Sequence, residues 1–405
     1  MSTTSMTSTR KPTRLLQLEW WRWRMTPGKA LLLLLFGAAA VVALVRLFVG
    51  LGAVTGLNDS MPWGLWKTYD VVVVVPLGAT GFVMAFVRYF TPGGERYEYI
   101  NRRAVIWAAI MYLSMGVRLA FDIGIPWRII NPIVFGGNLH SPLFEIAWCV
   151  FLYLIVLFFE NISRVAEEQK RPWVKRADHA LHKILPGFVL VGVLLSTMHH
   201  SSLGTLFMIT GRRMDPLWYH PWLNYVYLLS SIATGLGMMM VIEGFTSAYY
   251  KIKFERDALA RLAPWCAGFL SAVLLWRVGW LAVDGQLGLL FAPRVETLLW
   301  WAEILVGFVA PIVILSSRAR YTRAGLVAGG LLTVLGMIAL RLNVGFTALM
   351  GALGSQYTPS VAEILFSVGA TAGTVVIYTL FVETLPSILG PRVRETEEEA
   401  EAVGD

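Results

Sequence analysis

The sequence predicts an all-α integral membrane protein, and three observations support this fold class. Of the 405 residues, 56% are hydrophobic and 15% are charged, whereas a soluble domain has about 25% charged residues. Ten apolar stretches have about the 20 residues that a helix needs to cross a bilayer. Basic residues lie mainly in the short connections between these stretches. This composition excludes a soluble enzyme, and it assigns the net charge of +8 to membrane orientation rather than to nucleic-acid binding.

The ten predicted spans follow one another along the chain. They cover residues 30–53, 66–90, 102–122, 142–162, 184–205, 222–246, 265–283, 296–316, 322–345 and 360–387. An even number of spans places both termini on one side, which carries 24 Lys and Arg residues against four on the other. The positive-inside rule therefore predicts a multi-pass protein of the bacterial inner membrane with cytoplasmic termini. Residues 1–29 and the acidic residues 388–405 are then tails, and residues 30–387 form the transmembrane domain.

Two stretches of the chain share a spacing of charged residues that indicates an internal repeat. Arg277 follows Arg118 by 159 positions, and Glu303 follows Glu145 by 158. Four spans separate the copies, so the repeat is parallel. We expect two four-helix bundles, roughly residues 66–205 and 222–345, with spans one and ten as additional helices. Chance spacing of common residue types is the alternative.

The cysteine and histidine content limits the groups that the chain can bind. Cys149 and Cys266 lie in apolar stretches, which leaves no disulfide framework, zinc motif or iron–sulfur ligand set. Of six histidines, only His199 and His200 lie clearly within a span, and neighbours on a helix point about 100° apart. We therefore expect no metal, haem or iron–sulfur cluster in this chain, with a haem held by one histidine as the open alternative.

Charged residues within the spans are the main functional candidates, because each costs several kcal/mol at the bilayer centre. They are Asp70, Arg118, Asp122, Glu145, Glu243, Arg277, Glu303, Arg341, Glu363 and Glu383. Most lie in the outward halves of their helices, where we expect them to bind a polar ligand head, whereas inward carboxylates such as Glu243 would conduct protons. The alternative is purely structural pairing, of Arg118 with Asp122 or Glu145 and of Arg277 with Glu303.

The densest polar patch within a span is Leu-Ser-Thr-Met-His-His-Ser-Ser-Leu-Gly at residues 195–204. An imidazole donates a hydrogen bond to a carbonyl oxygen and exchanges a proton near neutral pH. A quinone requires both functions as it takes up electrons. His199 is therefore a candidate for quinone chemistry. The alternative is a histidine satisfied by a backbone carbonyl between helices, and it has more weight for His200.

The order and spacing of these motifs resemble a known family. The matching positions are Gly50-Leu-Gly, Met61-Pro-Trp-Gly-Leu-Trp, Asp70, Leu143-Phe-Glu145, residues 197–204, Pro216-Leu-Trp218, Ile242-Glu-Gly244, Arg277, Glu303, Arg341 and Pro359 with Glu363. The chain resembles the NrfD/polysulfide-reductase family of quinone-interacting membrane subunits, and within it the HybB type of nickel–iron hydrogenase subunit. The hydrogenase type has glutamine where this chain has His200, which leaves the role of His200 open.

The resemblance implies a haem-free subunit that exchanges electrons and protons between menaquinone, or a similar quinone, and a periplasmic ferredoxin-like iron–sulfur subunit. It favours nickel–iron hydrogenase large and small subunits as the attached enzyme, with another NrfD-type complex (polysulfide, tetrathionate or sulfite-related) as the alternative. The expected roles are catalysis for His199, Asp70 and Glu145; quinone binding for Tyr112, Arg118, Asp122, His199 and Asp70; and proton transfer for Glu145, Glu243, Arg277, Glu303, Arg341 and Glu363.

Two other functions stay open at the level of sequence. A secondary transporter also has repeats and buried charges, but Pro76 and Gly78 in span two have no clear counterpart in span six. A passive anchor for a redox complex would use the aromatic outward loops, at 58–70, 122–141, 206–224 and 284–297, only for docking. It would leave the many charges within the spans without a role.

Overall fold

The computed structural model describes residues 23–59, 61, 63–167, 172–353 and 357–389. Ten helical spans cross the molecule: α1 Pro27–Val49, α2 Leu65–Phe90, α3 Gly94–Asp122, α4 Pro142–Ala166, α5 Pro172–Met208, α6 Leu223–Tyr250, α7 Arg256–Val283, α8 Val295–Ser316, α9 Arg323–Gly351 and α10 Val361–Thr384. The predicted all-α membrane class with ten spans is confirmed for this part of the chain. Most of both predicted tails, with the acidic stretch 395–399, lies outside the described residues.

Local sequence signals explain where several spans begin and end. At the start of α1 the Thr26 hydroxyl accepts a hydrogen bond from the Lys29 amide, and the helix stops at Gly50, whose φ of 87° suits glycine. Helix α5 begins at Pro172, well before the predicted boundary at 184. Its first turns are polar and extend beyond the apolar stretch, so hydropathy detects only the part of the helix that suits lipid.

Eight of the spans pack as two rings of four. In the first ring α2 contacts α3, α3 contacts α4, α4 contacts α5, and α5 returns to α2; in the second, α6, α7, α8 and α9 follow the same order. Helices α1 and α10 pack on each other and on α3, and the rings meet where α6 contacts α2 and α5 and where α9 contacts α2. The packing therefore consists of two four-helix bundles with two additional helices. The internal sequence repeat stays a prediction.

Three spans contain a π-helical segment, which the sequence analysis did not predict. The segments are Thr68–Val73 in α2, Leu305–Val309 in α8 and Asn343–Thr347 in α9. Such segments often mark functional sites. Asp70 lies within the first, and the first and third touch between the bundles, where a side chain at Gly345 would overlap Thr68. The π-helical segments therefore lie close to the buried charged residues.

The spans end at two faces of the molecule, the terminal face and the opposite face. The terminal face contains the start of α1, at Pro27, and the end of α10, at Thr384. The opposite face contains the end of α1, at Val49, and the start of α10, at Val361. Each charged residue can be placed by its distance from one of these faces.

Candidate functional site

A buried ion pair joins α2 to α3 near the opposite face. Arg118 Nη1 donates to Asp70 Oδ1 at 3.2 Å, and the two side chains are 2% and 0% exposed. The guanidinium also donates from Nε to Ser114 Oγ at 3.1 Å and from Nη2 to Thr371 Oγ1 of α10 at 3.1 Å. The other carboxylate oxygen of Asp70 has no hydrogen-bond partner within the described ranges. The pair is thus held by three helices, and one carboxylate oxygen of Asp70 is buried without a partner among the described residues.

A long apolar cleft lies beside this ion pair, between α1, α3, α4 and α10. Its volume is about 850 Å³, and its walls are almost entirely hydrocarbon. Leu44 and Leu113 line it and are each more than half exposed. Because these residues face the surface that the spans present to lipid, a membrane-dissolved molecule has lateral access to the cleft.

Polar side chains line the cleft at its two ends. Ser114 and Arg118 lie toward the opposite face, Thr374 lies near the middle of α10, and Asn161 and Arg164 lie toward the terminal face. An amphiphile with a small polar head and a long apolar tail fits this distribution of polarity. The head would meet the guanidinium that holds Asp70.

A second polar group lies inside the first bundle. His199 Nδ1 lies 2.8 Å from the Leu195 carbonyl oxygen, and because a carbonyl oxygen only accepts, Nδ1 is the donor. In the neutral ring the other nitrogen, Nε2, is then an acceptor, and the Tyr112 hydroxyl donates to it at 2.7 Å. The Tyr153 ring packs edge-on against Tyr112 with 4.9 Å between centroids. All three residues are buried. A proton can pass between the phenol and the imidazole, which makes this a candidate proton-holding group.

The structure separates residues that the sequence analysis placed in one pocket. Tyr112 and Arg118 are six positions apart on α3, which is about 120° around the helix. Arg118 lines the cleft, whereas Tyr112 and His199 are not among its lining residues. The single predicted pocket is therefore two neighbouring sites, the Asp70–Arg118 pair at the cleft and the His199–Tyr112 pair within the bundle.

The predicted ion pair between Arg118 and Asp122 is wrong. Asp122 lies one turn nearer the opposite face, where its Oδ2 is 3.8 Å from Lys67 Nζ. Helical side chains tilt toward the helix N-terminus, so Arg118 points back toward Ser114 and reaches α2 and α10. Glu145 lies in the first turn of α4, and within the described residues no ion pair joins it to Arg118.

The charged residues of the second bundle form their own network. Glu303 accepts hydrogen bonds from Arg277 Nη1, from Trp218 Nε1 at 2.9 Å and from Asn343 Nδ2 at 2.8 Å. The sequence analysis gave this pairing of Arg277 with Glu303 as the structural alternative to a functional role. Arg341 is not part of this ion pair and is fully buried.

Glu243 is paired with Arg103, which the sequence analysis did not select. The guanidinium binds both carboxylate oxygens, and both side chains are at most 1% exposed. Arg103 Nη1 also donates to the Leu389 carbonyl at 3.0 Å, beyond the end of α10. The Arg103–Glu243 pair thus holds α3 and α6 together, and Arg103 joins them to the segment after α10 near the terminal face.

Glu363 caps α10 at the opposite face. One carboxylate oxygen accepts from the Gly56 and Ser360 amides at 2.9 and 2.8 Å, and the other accepts from the Tyr357 hydroxyl at 2.7 Å. Burial raises the pKa of Tyr357, which lies in the connection before α10, so its phenol keeps the donated proton. This geometry fixes the α1–α2 connection to α10, while proton transfer by Glu363 stays a prediction.

A comparison with protein-family models decides the family. The model described as polysulphide reductase, NrfD, matches residues 53–351. The match contains α2 to α9, that is, both four-helix bundles. The chain belongs to the NrfD family. The resemblance inferred from the motifs is therefore confirmed.

This NrfD protein is similar to several curated proteins. One from Escherichia coli K12, named "Probable Ni/Fe-hydrogenase 2 b-type cytochrome subunit", is 27% identical over 366 residues, which cover 88% of this chain and 92% of the relative. The "Menaquinone reductase, integral membrane subunit" of Nitratidesulfovibrio vulgaris Hildenborough is 33% identical over 216 residues, 51% of this chain and 50% of the relative. The "Hdr-like menaquinol oxidoreductase integral membrane subunit" of Archaeoglobus fulgidus is 21% identical over 377 residues, with 85% and 89% covered.

The sequence analysis missed several polar residues of the NrfD site. Ser114, Thr371 and Thr374 surround the Arg118 guanidinium, but hydroxyls within spans often bond only to their own helix and carry no clear signal. Arg103 was counted among the basic residues of a connection because it lies at the predicted start of a span. In the structure Arg103 lies more than two turns inside α3.

Proposed function

We propose that this NrfD protein is the quinone-reactive membrane subunit of a redox complex, exchanging electrons and protons between a menaquinone-type quinone and an iron–sulfur partner. The observation that carries the proposal is the apolar cleft with the Asp70–Arg118 pair at its polar end. The names of two relatives, which refer to menaquinone or menaquinol, support the same class of ligand.

The residues at this end of the cleft suit a quinone head. The apolar walls accommodate an isoprenoid tail, and the second N–H of Arg118 Nη1 is left for a carbonyl oxygen. A bound quinone takes up two electrons and two protons when it is reduced. Asp70 can exchange one of these protons through its unpartnered oxygen, and the neighbouring cation stabilises developing negative charge.

The His199–Tyr112 pair is the proposed proton store behind this site. Tyr112 is on the same helix as Arg118, and its hydroxyl is already hydrogen-bonded to the imidazole. Histidine is the side chain whose ordinary pKa suits proton exchange near neutral pH. We assign Glu145 to the outward entrance of the pocket. Glu243, Arg277, Glu303, Arg341 and Glu363 are proposed as further steps of a proton route.

The electron-transfer partner is proposed to bind at the opposite face. Arg118 is four residues, about 6 Å along the axis, from the end of α3, so a cluster docked there approaches the quinone closely. Trp127 and Phe135, in the connection after α3, are 76% and 78% exposed and suit a docking surface. By the positive-inside rule this face is periplasmic, both termini are cytoplasmic, and the membrane is the inner membrane of a bacterium.

We propose a nickel–iron hydrogenase, with its large, small and iron–sulfur subunits, as the attached enzyme. The Escherichia coli relative, which covers most of both chains, supports this choice. The menaquinone reductase relative has higher identity over about half of the chain and favours a different NrfD-type complex as the second candidate. The redox subunits that accompany the chain in its native membrane distinguish the two.

The first experiment is gentle purification from the native membrane, followed by mass spectrometry of the subunits and of extracted quinone. Bound quinone together with hydrogenase subunits supports both the quinone site and the hydrogenase as the attached enzyme. Quinone with other redox subunits supports the quinone site and rejects the hydrogenase. Isolation of the chain without quinone and without a redox partner contradicts the proposed function.

A further inference from the structure

Arg341 of α9 is a buried cation without a carboxylate partner. Its side chain is 0% exposed, and within the described residues no ion pair includes it. The buried carboxylates of the second bundle are already engaged, Glu303 by Arg277 and Glu243 by Arg103. Buried charges are normally paired, because an isolated one loses its hydration without compensation. The guanidinium therefore needs a negative charge from another source.

The hydrogen bonds of Arg341 leave most of its donors unused. Nη2 donates to the Tyr227 carbonyl at 2.8 Å and to the hydroxyls of Ser230 and Ser231 at 2.9 and 3.1 Å. Nε and Nη1 have no partner in the described structure. The guanidinium carbon lies 3.3 Å from the centroid of the Tyr227 ring, and the hydroxyl of that ring is also unpartnered. Several N–H and O–H groups thus meet in one buried region.

Neighbouring groups do not cancel the charge. The Tyr227 ring beside the guanidinium is neutral, and Arg277 of the same bundle is paired with Glu303. Arg277 and Glu303 neutralise each other, so the region keeps a net charge of one positive unit.

We propose that a small monovalent anion, chloride under ordinary conditions, binds at Arg341 between α6 and α9 of the second bundle. The unused Nε and Nη1 groups and the Tyr227 hydroxyl are its donors. Water would satisfy these hydrogen bonds but would leave the positive charge uncompensated. The anion neutralises the charge and holds α9 against α6. This site is independent of the quinone cleft, which lies on the other side of the first bundle.

The test measures thermal unfolding of the purified complex while gluconate replaces chloride at constant ionic strength. A ligand that binds only the folded state raises the unfolding midpoint with its concentration. We expect a saturable increase with chloride or bromide, and bromide density beside Arg341 in a structure. Arg341→Gln should lose the chloride dependence. Arg323→Gln, an exposed arginine on the same helix, is the matched control and should keep it.

A second variant keeps the test decisive if Arg341→Gln does not fold. Tyr227→Phe removes one proposed donor, and the loss of one hydrogen bond to an anion should raise the half-saturating chloride concentration at least about tenfold. An unchanged half-saturation in Tyr227→Phe overturns the site. Equal unfolding midpoints of the wild-type complex in chloride and gluconate, without a bromide peak, also overturn it and leave water as the occupant.

Discussion

Replacing Asp70 with Asn tests the proposed quinone site most directly. The change removes the only carboxylate bound to Arg118 within the described residues, in a place where both side chains are almost fully buried. Breaking a buried ion pair costs about 3–5 kcal/mol. We expect the lower end of that range, because the amide oxygen can still accept from Nη1 and because Ser114 and Thr371 keep their hydrogen bonds to the guanidinium. The variant should therefore assemble with a lower unfolding midpoint.

The effect on turnover should be larger than the effect on assembly. A positioned acid–base group contributes about 10²–10⁴-fold to a proton-transfer step, and Asn cannot exchange a proton. Quinone reduction by the intact complex should fall at least about 100-fold, while electron transfer from the partner subunits to a soluble dye stays unchanged. Both rates are measured on the same preparation in lipid nanodiscs.

The control for this experiment is Asp257→Asn, because Asp257 is an exposed carboxylate in the first turn of α7, at the terminal face. It should retain both rates. If Asp70→Asn assembles and reduces quinone at the wild-type rate, the assignment of the quinone head to the Asp70–Arg118 pair is refuted. If both rates fall together, the defect lies in docking of the partner rather than in the quinone site.

Four further predictions follow from the same geometry. Tyr112→Phe leaves His199 Nε2 without its donor and should slow quinone turnover without weakening quinone binding, since neither residue lines the cleft; weaker binding of a quinone analogue would contradict this. Glu243→Gln leaves Arg103 unpaired and should lower the unfolding free energy, measured by denaturation, by about 3–5 kcal/mol. The double variant Arg103→Met, Glu243→Met removes both charges and should recover part of this loss. Leu113→Trp narrows the cleft and should raise KM for a long-tailed quinone more than for a tail-less analogue; equal changes would place the tail elsewhere. Reduced-minus-oxidised spectra of the chain separated from its partners should show no haem band, and a band lost in His199→Ala would contradict the expected haem-free state.

Part of the candidate site was predictable from the sequence, because single residues in unusual places carry a signal. A charge such as Asp70 within an apolar span can be recognised from the sequence, and so can the imidazole of His199 in a polar patch. The hydroxyls of Ser114 and Thr371 carried no such signal, because small hydroxyl residues are common in spans. Ser114 lies one turn before Arg118 on the same helix, whereas Thr371 reaches the guanidinium only because α10 packs on α3 in the folded chain.

The sequence by itself determined the membrane class, the ten spans and the family, because hydropathy, span length and motif order are properties of the chain read in one dimension. Only the tertiary structure decided the partners of the charged residues. Arg118 binds Asp70 rather than Asp122, and Glu243 binds Arg103. Sequence position sets how deep a side chain lies along its helix. The direction it faces depends on how that helix is rotated against its neighbours, and this rotation is determined by the packing of all ten spans.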